Sequence, residues 1–283
     1  MPHTPTAATR LFLLLGDPVG HSVSPVFQNA VLRERGIDAV YTALPCDRQS
    51  VGPLVRALCR AGGGGNVTIP HKAAAAECVE RPSVHVTRTG ACNTFWGEDG
   101  AVCGENTDVA GVRHAATLLL PELEGITALI IGAGGGAAAA ACALLDAGAA
   151  EITLINRSPD RARALAARLD PDGTTVRSIT SIHHITGGAV DLVVNASSIG
   201  LRDDDPIAFD LGTFAHIRAV LDIVYRRDRT TPFVRHARKL GIPAADGTEM
   251  LLAQGAAAFA RWFGGEPPIE SMRQALHAYT DGR

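Results

Sequence analysis

A glycine-rich segment in the middle of the chain has the spacing needed to hold a phosphate group. Residues 127–131 form a short apolar run, and the letters G-A-G-G-G-A follow at 132–137. They match G-x-G-x-x-G/A, whose small residues permit a tight turn and close approach of the backbone to a pyrophosphate. A flexible turn is the alternative, but the strand before it and the helix after it favour a dinucleotide. The predicted contact residues are Gly132, Ala133, Gly134, Gly135, Gly136 and Ala137.

Two arginines after the next predicted strand indicate which dinucleotide. An enzyme that uses NAD usually ends this strand with an acidic residue for the ribose 2′-hydroxyl. Here the strand ends at Asn156 and Arg157, and Arg161 lies one helical turn further on. Two guanidinium groups can bind a 2′-phosphate through charge-assisted hydrogen bonds. Both arginines can also be merely solvated, with Ser158 capping the next helix, but the pattern favours NADP over NAD.

Hydroxyl and amide side chains cluster at predicted strand ends and helix starts in the first third of the chain. Ser22 and Ser24 precede a helix, whose N-terminus is a natural place for a carboxylate. Capping alone explains Ser24 but leaves Ser22 unexplained. Asn66 and Thr68 are two residues apart in a predicted strand and therefore face the same side. Open α/β sheets bind ligands at these strand ends.

Two charged residues at predicted helix starts are ambiguous when taken alone. Lys72 follows Thr68 closely, but a lysine in this position is usually a surface charge and is mildly unfavourable at a helix N-terminus. Asp108 opens a later helix, and helix capping explains it without any chemistry. Neither residue by itself predicts a catalytic group.

Strands and helices alternate along the whole chain, which predicts an α/β fold with a parallel, doubly wound sheet. The four glycines at 62–65 suggest a loosened approach of the strand that carries Asn66. The predicted strands are 11–15, 39–44, 66–69, 127–131, 151–155, 192–195 and 219–223, with a hairpin of 91–95 and 101–104. The predicted helices begin near Ser24, Ser50, His71 and Asp108 and after the glycine-rich turn.

Length and composition limit the possible classes of protein. A chain of 283 residues is long enough for two domains of ~100–150 residues each. The net charge of −3 argues against nucleic acid as a partner. The six cysteines are scattered without a metal-binding spacing, which predicts free thiols in a reducing compartment and no metal. With neither a signal peptide nor an apolar run of ~20 residues, we expect a cytoplasmic protein that does not enter a membrane.

A series of short motifs resembles the shikimate dehydrogenase family from about Leu11 to Leu276. The motifs occur in the order that the family has. They are G-D-P-V-G-H-S-V-S-P (16–25), N-V-T-I-P-H-K (66–72), G-A-C-N-T (90–94), G-E-N-T-D-V-A-G (104–111), G-A-G-G-G-A (132–137), N-R-S (156–158), N-A-S-S-I-G (195–200), D-I-V-Y (222–225) and D-G-T-E-M-L-L-A-Q (246–254).

The resemblance implies a role for each matching residue. Lys72 and Asp108 would form the catalytic pair and also contact the substrate. Ser22 and Ser24 would bind the substrate carboxylate, with Tyr225 near it and near the nicotinamide. The side chains that would bind the ring hydroxyls are Asn66, Thr68, Asn93 and Gln254. The residues that would line the rest of the NADP site are Asn156, Arg157, Ser158, Arg161, Asn195, Ala196, Ser197, Ile223 and Gly247.

The resemblance also implies an architecture and a reaction. A substrate-binding domain of residues 1–107 and 244–283 would hold an inserted Rossmann domain of residues 108–243 that binds NADP, with a cleft between them. The enzyme would reduce 3-dehydroshikimate reversibly to shikimate with NADPH, in chorismate and aromatic amino acid biosynthesis. It would act as a monomer or a homodimer.

Some residues depart from the family pattern, and other activities remain open. Cys92 replaces the usual valine, and residues 225–228 read Y-R-R-D instead of Tyr-Asn-Pro. Quinate or aminoshikimate could be the substrate on the same scaffold. A methylenetetrahydrofolate dehydrogenase also pairs a lysine-bearing domain with a Rossmann domain, but its substrate would not require Ser22 and Ser24. A sensor that binds NADP without turnover is disfavoured by the presence of Lys72, Asp108 and Gln254 together.

Overall fold

The chain folds into two compact units. The structure is a computed structural model that describes residues 4–181, 184–185, 189–202, 204–226 and 230–281. One unit contains the chain up to Thr107 and again from Leu252, and the other is Asp108–Leu251. The predicted boundary at 243/244 lies earlier than this division, because Ala244–Ala245 pairs with a strand of the second sheet.

The first unit is built on a mixed sheet of six strands, in the order β2-β1-β3-β5-β6-β4. Strand β5 runs antiparallel to both of its neighbours, and the other pairs are parallel. The elements are β1 (Arg10–Gly16), α1 (Ser24–Glu34), β2 (Ala39–Pro45), α2 (Arg48–Arg60), β3 (Gly64–Val67), α3 (Lys72–Ala76), β4 (Arg81–Pro82), α4 (Val84–Thr89), β5 (Thr94–Glu98) and β6 (Ala101–Glu105). Helix α9 (Thr248–Phe263) begins in the second unit and continues in the first, and α10 (Ile269–Asp281) follows it.

Strand β1 lies between β2 and β3 in this sheet, and its two faces are covered by different helices. Leu13 and Leu15 pack with the apolar side chains of α2. On the other face, the ring of Phe12 lies 5.0 Å from the rings of Trp262 and Phe263. Because β2 and β3 lie on opposite sides of β1, the chain changes direction at this point. Ligands of open α/β sheets bind at the carboxyl ends of strands at such a point.

The glycines before Asn66 hold β3 close to its neighbours. A Cβ atom placed on Gly65 would lie 2.0 Å from the carbonyl oxygen of Leu13, and one on Gly64 would lie 2.6 Å from that of Phe95. All four residues of β3 are buried. The prediction of a loosened strand was therefore wrong, because the absent side chains permit a closer approach of the backbones.

The second unit contains a sheet of six parallel strands in the order β12-β11-β10-β7-β8-β9. This is the order of a dinucleotide-binding Rossmann fold, with the switch point between β7 and β10. The elements are α5 (Asp108–Leu119), β7 (Thr127–Ile131), α6 (Gly135–Asp146), β8 (Glu151–Ile155), α7 (Pro159–Leu169), β9 (Val176–Ile179), β10 (Ala189–Asn195), β11 (His216–Asp222), α8 (Pro232–Lys239) and β12 (Ala244–Ala245).

The second sheet is covered on both faces, which explains why its strands are uniformly apolar. Along β7, Ala128 and Ile130 pack with the alanine-rich residues of α6, whereas Leu129 and Ile131 pack with Phe233 of α8 on the opposite face. In the part of the chain that the structure describes, no helix is both long and apolar enough to cross a membrane.

Candidate active site

Strand ends of the first sheet carry a network of buried polar side chains. Asn66 is the last residue but one of β3 and is 6% exposed. Its Nδ2 donates to the carbonyl oxygen of Asn93 (3.0 Å) and to Oγ1 of Thr94 (2.9 Å), and its Oδ1 accepts from the Tyr41 hydroxyl at 2.7 Å. Both amide protons of Asn66 are thus engaged. Toward a ligand, Asn66 is therefore an acceptor through the second lone pair of Oδ1.

In Asn93 the protein engages the side-chain oxygen, whereas in Asn66 it engages the side-chain nitrogen. Its Oδ1 accepts from the backbone N–H of Thr107 (2.8 Å), from the Thr107 hydroxyl (3.1 Å) and from the Thr94 hydroxyl (3.0 Å). Its Nδ2 lies 3.4 Å from Oε1 of Gln254 on α9. The Asn93 oxygen is fully engaged within the protein, so this side chain can serve a ligand only as a donor. The two amides are therefore oriented with opposite polarity.

The network includes three residues that the sequence did not predict, Tyr41, Thr94 and Thr107. Burial raises the pKa of Tyr41 well above its ordinary value, so the phenol remains a proton donor to Asn66. Thr94 and Thr107 lie inside quoted motifs, and their hydroxyls are 2.9 Å apart. Tyr41 belongs to no motif, and only its inward-facing place in β2 could have indicated it.

Ser22 and Ser24 lie beside the start of α1, as predicted, but Ser24 is not its N-cap residue. Ser24 is the first residue of the helix, and the N-cap residue is Val23, which offers no side-chain oxygen. The prediction that Ser24 is the cap was wrong. Instead, Oγ of Ser22 accepts from the backbone N–H of Ser24 at 3.2 Å. Ser22 is half-buried and Ser24 is 6% exposed. A cap without its own acceptor at this N-terminus is compatible with a carboxylate ligand.

Thr68 and Lys72 lie on either side of one tight turn. The backbone N–H of Thr68 donates to Leu15 at 2.8 Å, and its carbonyl oxygen accepts from His71 at 2.9 Å. Lys72 is the first residue of α3 and is half-buried, and its carbonyl oxygen accepts from the N–H of Cys92 at 2.9 Å. The turn therefore fixes the backbone of Lys72 next to the strand that carries Asn66.

Asp108 and Tyr225 lie in the second unit, whereas Lys72 lies in the first. Asp108 is the first residue of α5 and is 4% exposed, a position where its negative charge suits the helix dipole. Tyr225 is half-buried and follows Val224, whose N–H donates to Asp222 at 3.1 Å. Whether Asp108 and Tyr225 act on the same ligand as Lys72 stays a prediction.

The predicted glycine turn connects β7 to α6 as the fingerprint requires. Gly132 has a φ of +124°, and a Cβ atom there would lie 2.7 Å from the carbonyl oxygen of Ala196, so no other residue suits this position. Gly134 is exposed and is the N-cap residue of α6, and it offers no side-chain oxygen to the first-turn N–H groups. Ala137 is fully buried in the helix–sheet contact. The backbone N–H groups at the start of α6 therefore have no capping side chain from residue 134.

Asn195 and Asp222 shape the neighbouring loops at the same edge of the second sheet. Asn195 accepts from Ser197 through the hydroxyl (2.7 Å) and the backbone N–H (3.1 Å), and donates to Asp222 at 2.8 Å. Asp222 also accepts from the hydroxyl of Thr231 at 2.7 Å. Burial raises the pKa of Asp222 to about 6. These bonds orient the segment of Ala196 and Ser197 that faces Gly132.

Two further predicted residues close this edge of the sheet. The N–H of Ile223 donates to the carbonyl oxygen of Asn195 at 3.0 Å, and the N–H of Gly247 donates to that of Val224 at 3.0 Å. A Cβ atom on Gly136 would meet the side chain of Ile223 at 2.5 Å. The second unit therefore brings the glycine turn, Asn195, Ile223 and Gly247 to one edge of its sheet, and their contact with NADP stays a prediction.

Arg157 and Arg161 are exposed after β8, as a phosphate site requires. Among the residues described, neither guanidinium has an ion-pair or hydrogen-bond partner, whereas Asp160 pairs with Arg163 at 2.9 Å. Asn156 donates to the carbonyl oxygen of Ser158 at 2.9 Å. Ser158 occupies the N-cap position of α7, but its hydroxyl makes no capping bond in this described segment. The side chains of Arg157, Ser158 and Arg161 thus face solvent or a ligand.

Family models match three segments of the chain. Residues 14–95 match the shikimate dehydrogenase substrate binding domain, residues 114–200 match shikimate / quinate 5-dehydrogenase, and residues 247–277 match the shikimate 5′-dehydrogenase C-terminal domain. A curated relative, shikimate dehydrogenase (NADP(+)) from Rubrobacter xylanophilus, is 40% identical over 272 residues, which is 95% of each chain.

Solved structures agree with these matches. Shikimate 5-dehydrogenase from Thermus thermophilus in complex with NADP(H) and shikimate has a TM-score of 0.80 and 33% identity, over 95% of this chain and 99% of that one. Quinate dehydrogenase from Corynebacterium glutamicum in complex with NAD has a TM-score of 0.84 and 29% identity, over 95% and 99%. With sequence and fold in agreement, the chain belongs to the shikimate dehydrogenase family.

Proposed function

We propose that this chain reduces 3-dehydroshikimate reversibly to shikimate, with NADPH as the hydride donor. The observation that carries the proposal is the paired polarity of Asn66 and Asn93, one restricted to accepting and the other to donating a hydrogen bond. A ring with several hydroxyl groups presents donors and acceptors side by side and suits such a pair. A site that binds a hydroxyl in this way strongly rejects an analogue that lacks it.

The residues of the second unit suit NADP. The start of α6 presents backbone N–H groups without a capping side chain, and Gly132 permits the close approach that a pyrophosphate requires. Arg157 and Arg161 are exposed cations without partners in the described chain, and a 2′-phosphate would supply the missing anion. Bound NADPH supplies the hydride that the carbonyl carbon of the substrate accepts.

Lys72 and Asp108 are proposed to handle the proton. In the direction of reduction, the ammonium of Lys72 gives a proton to the carbonyl oxygen as the carbon gains hydride, so the C=O becomes CH–OH. In the reverse direction Lys72 takes the hydroxyl proton back. Asp108 orients the ammonium and accepts a hydrogen bond from the substrate hydroxyl. This assignment is supported by the fixed backbone of Lys72 and by the burial of Asp108 at a helix start.

The remaining predicted residues are proposed to bind the rest of the substrate. Ser22 and Ser24, at the start of α1, would bind the carboxylate, with Tyr225 nearby. Thr68 and Gln254 would bind ring hydroxyls beside Asn66 and Asn93. The contact between Gln254 and Asn93 supports this grouping, because it brings a residue of α9 to the strand ends of the first sheet.

The proposal is tested by following the absorbance of NADPH at 340 nm. Oxidation is measured with shikimate and with quinate, each with NADP⁺ and with NAD⁺, which gives four values of kcat/KM. We expect shikimate with NADP⁺ to give the highest value by a wide margin. Quinate with NAD⁺ is the alternative, because one solved neighbour in the family is named for that pair. A higher kcat/KM for quinate, or no oxidation of either acid, would contradict the proposal.

We also propose a cytoplasmic location. All six cysteines, each of which the structure describes, carry free thiols, and free thiols suit a reducing compartment. Burial raises the pKa of Cys92 to about 12, so this thiol stays protonated, and its Sγ–H donates to the carbonyl oxygen of Thr94 at 3.2 Å. A cysteine in place of the family's usual valine therefore adds a buried hydrogen bond next to Asn93.

A further inference from the structure

Glu105 of the first unit has a buried carboxylate that takes no part in the proposed reaction. It is the last residue of β6 and is only 4% exposed. A buried carboxylate is costly unless hydrogen bonds and opposite charge compensate it. The partners of Glu105 therefore indicate what the residue is for.

Four donors from separate parts of the first unit converge on this carboxylate. Oε1 accepts from the Ser83 hydroxyl (2.7 Å), from the backbone N–H of Asn106 (2.8 Å) and from Nδ1 of His85 (3.1 Å). Oε2 accepts from the guanidinium of Arg261 at 2.9 Å. Ser83 and His85 belong to the start of α4, Asn106 follows β6, and Arg261 belongs to α9.

Two of these donors, Asn106 and Arg261, lie close in the chain to residues that are predicted to bind the substrate. Asn106 leads through Thr107 directly to Asp108, and the N–H of Thr107 donates to Asn93 at 2.8 Å. Arg261 follows Gln254 by seven residues, which is close to two turns, so both lie on the same face of α9. The backbone of Glu105 itself accepts from the N–H of Asn93 at 3.2 Å.

We propose that Glu105 is a positioning residue, whose carboxylate holds the Asn106–Thr107 segment beside Asn93 and the Gln254 face of α9 in one arrangement. The inference rests on the proposed function of Asn93 and Gln254. Glu105 acts through these residues and does not touch the substrate. Glutamine could not replace Glu105 in this role. Its single amide oxygen cannot accept from all four donors, and its amide NH₂ group would face the Arg261 guanidinium.

The test compares Glu105→Gln with the wild-type enzyme and with Glu77→Gln. Glu77 forms an exposed ion pair with Arg48 at 2.8 Å in the same unit, so its variant is a matched control for the loss of one carboxylate. For Glu105→Gln we expect kcat to fall about tenfold or more and the KM for shikimate to rise several-fold, because small displacements of positioning groups reduce turnover. The Kd for NADPH should stay at the wild-type value, and Glu77→Gln should match wild type in all three.

Arg261 supplies a second pair of variants. Arg261→Ala should lower kcat/KM for shikimate several-fold at a temperature where the protein is fully folded, and Arg261→Lys should restore much of the loss. If Glu105→Gln does not fold, these two variants decide the question. Wild-type kcat and KM in folded Glu105→Gln, or in Arg261→Ala, would overturn the positioning role. Failure of the proposed function is distinct, since the wild-type enzyme would then not oxidise shikimate.

Discussion

The candidate sites of the two units differ in the groups that form them, which are polar side chains in the first unit and mainly backbone in the second. In the first unit, the site consists of side chains such as Asn66, Asn93 and Thr94, each fixed by hydrogen bonds to the others. In the second unit, the candidate site lacks side chains at its glycine turn: a Cβ atom on Gly132 would meet the backbone of Ala196, and the N-cap residue of α6 carries no capping oxygen. The exposed Arg157 and Arg161 add positive charge there.

This difference separates recognition from cofactor binding. Substitutions in the first unit should alter turnover and the choice of substrate, because hydrogen bonds fix which of its polar groups donate and which accept. Changes in the second unit should alter stability or the affinity for NADPH, because they fill space or remove a cation. The following predictions test that separation, beginning with the largest expected effect.

Loss of the Lys72 ammonium should have the largest effect. Lys72→Ala should lower kcat by ~10²–10⁴-fold, the usual contribution of a proton-transfer group. The Kd for NADPH, measured by fluorescence titration, should remain at its wild-type value, because the nucleotide site belongs to the second unit. The chain has one other lysine, the exposed Lys239, and Lys239→Ala is the matched control with unchanged kcat. An active Lys72→Ala enzyme would remove Lys72 from this role.

A methyl group at Gly132 should damage the second unit. Gly132→Ala combines an unfavourable φ of +124° with a contact of 2.7 Å to the backbone of Ala196, and should cost about 2–4 kcal/mol of unfolding free energy. Thermal unfolding followed by circular dichroism measures the loss. Gly134→Ala is the comparison, since a Cβ atom there has nothing within 4 Å and should leave Tm nearly unchanged. Equal losses in Tm would show that space at Gly132 is not the constraint.

Asp222 should make the stability of the second unit depend on pH. Burial raises the pKa of Asp222 from 3.8 to about 6, so its contribution to stability is complete below pH 3.8 and is lost as the pH rises through 6. The unfolding free energy of wild type minus that of Asp222→Asn should therefore fall, by up to about 3 kcal/mol, between pH 4 and pH 7. Urea unfolding at a series of pH values measures this difference. A difference that is flat or rises with pH would contradict the assignment.

Removal of one arginine should change the choice of cofactor by a smaller factor. Arg157→Ala should raise the KM for NADPH about tenfold and leave the KM for NADH nearly unchanged, since only NADPH carries the 2′-phosphate. Arg163, exposed and paired with Asp160, gives the control Arg163→Ala. Steady-state assays with both cofactors make the comparison. Equal changes for NADPH and NADH would exclude a contact with the 2′-phosphate.

The sequence predicted local features of both units more reliably than long-range ones. The β7–α6 turn depends on a few adjacent residues, and the structure confirms it. The hairpin is also present, but its first strand is Thr94–Glu98 and not the predicted 91–95. Ser24 was misassigned as a cap because residue type alone does not distinguish the N-cap position from the first helical residue.

Local patterns could not predict contacts between distant residues, and the contact of Gln254 with Asn93 was expected only from the family resemblance. Tyr41 reaches Asn66 over 25 residues, and Arg261 reaches Glu105 over 156 residues, so no local pattern reveals either contact. Strand β12 has only two residues and too little periodicity to detect. The glycines of β3 were misread because their effect depends on how closely the neighbouring strands approach.

The most direct test of the account is a double-mutant cycle on Lys72 and Asp108, measured as kcat for shikimate oxidation. Groups that act as one catalytic unit are strongly non-additive. We predict that Lys72→Ala and Asp108→Asn each lower kcat by at least ~100-fold, and that the double variant loses little more than the worse single variant. A double variant whose loss equals the product of the two single losses would show that the residues act independently, and would contradict the proposed pair.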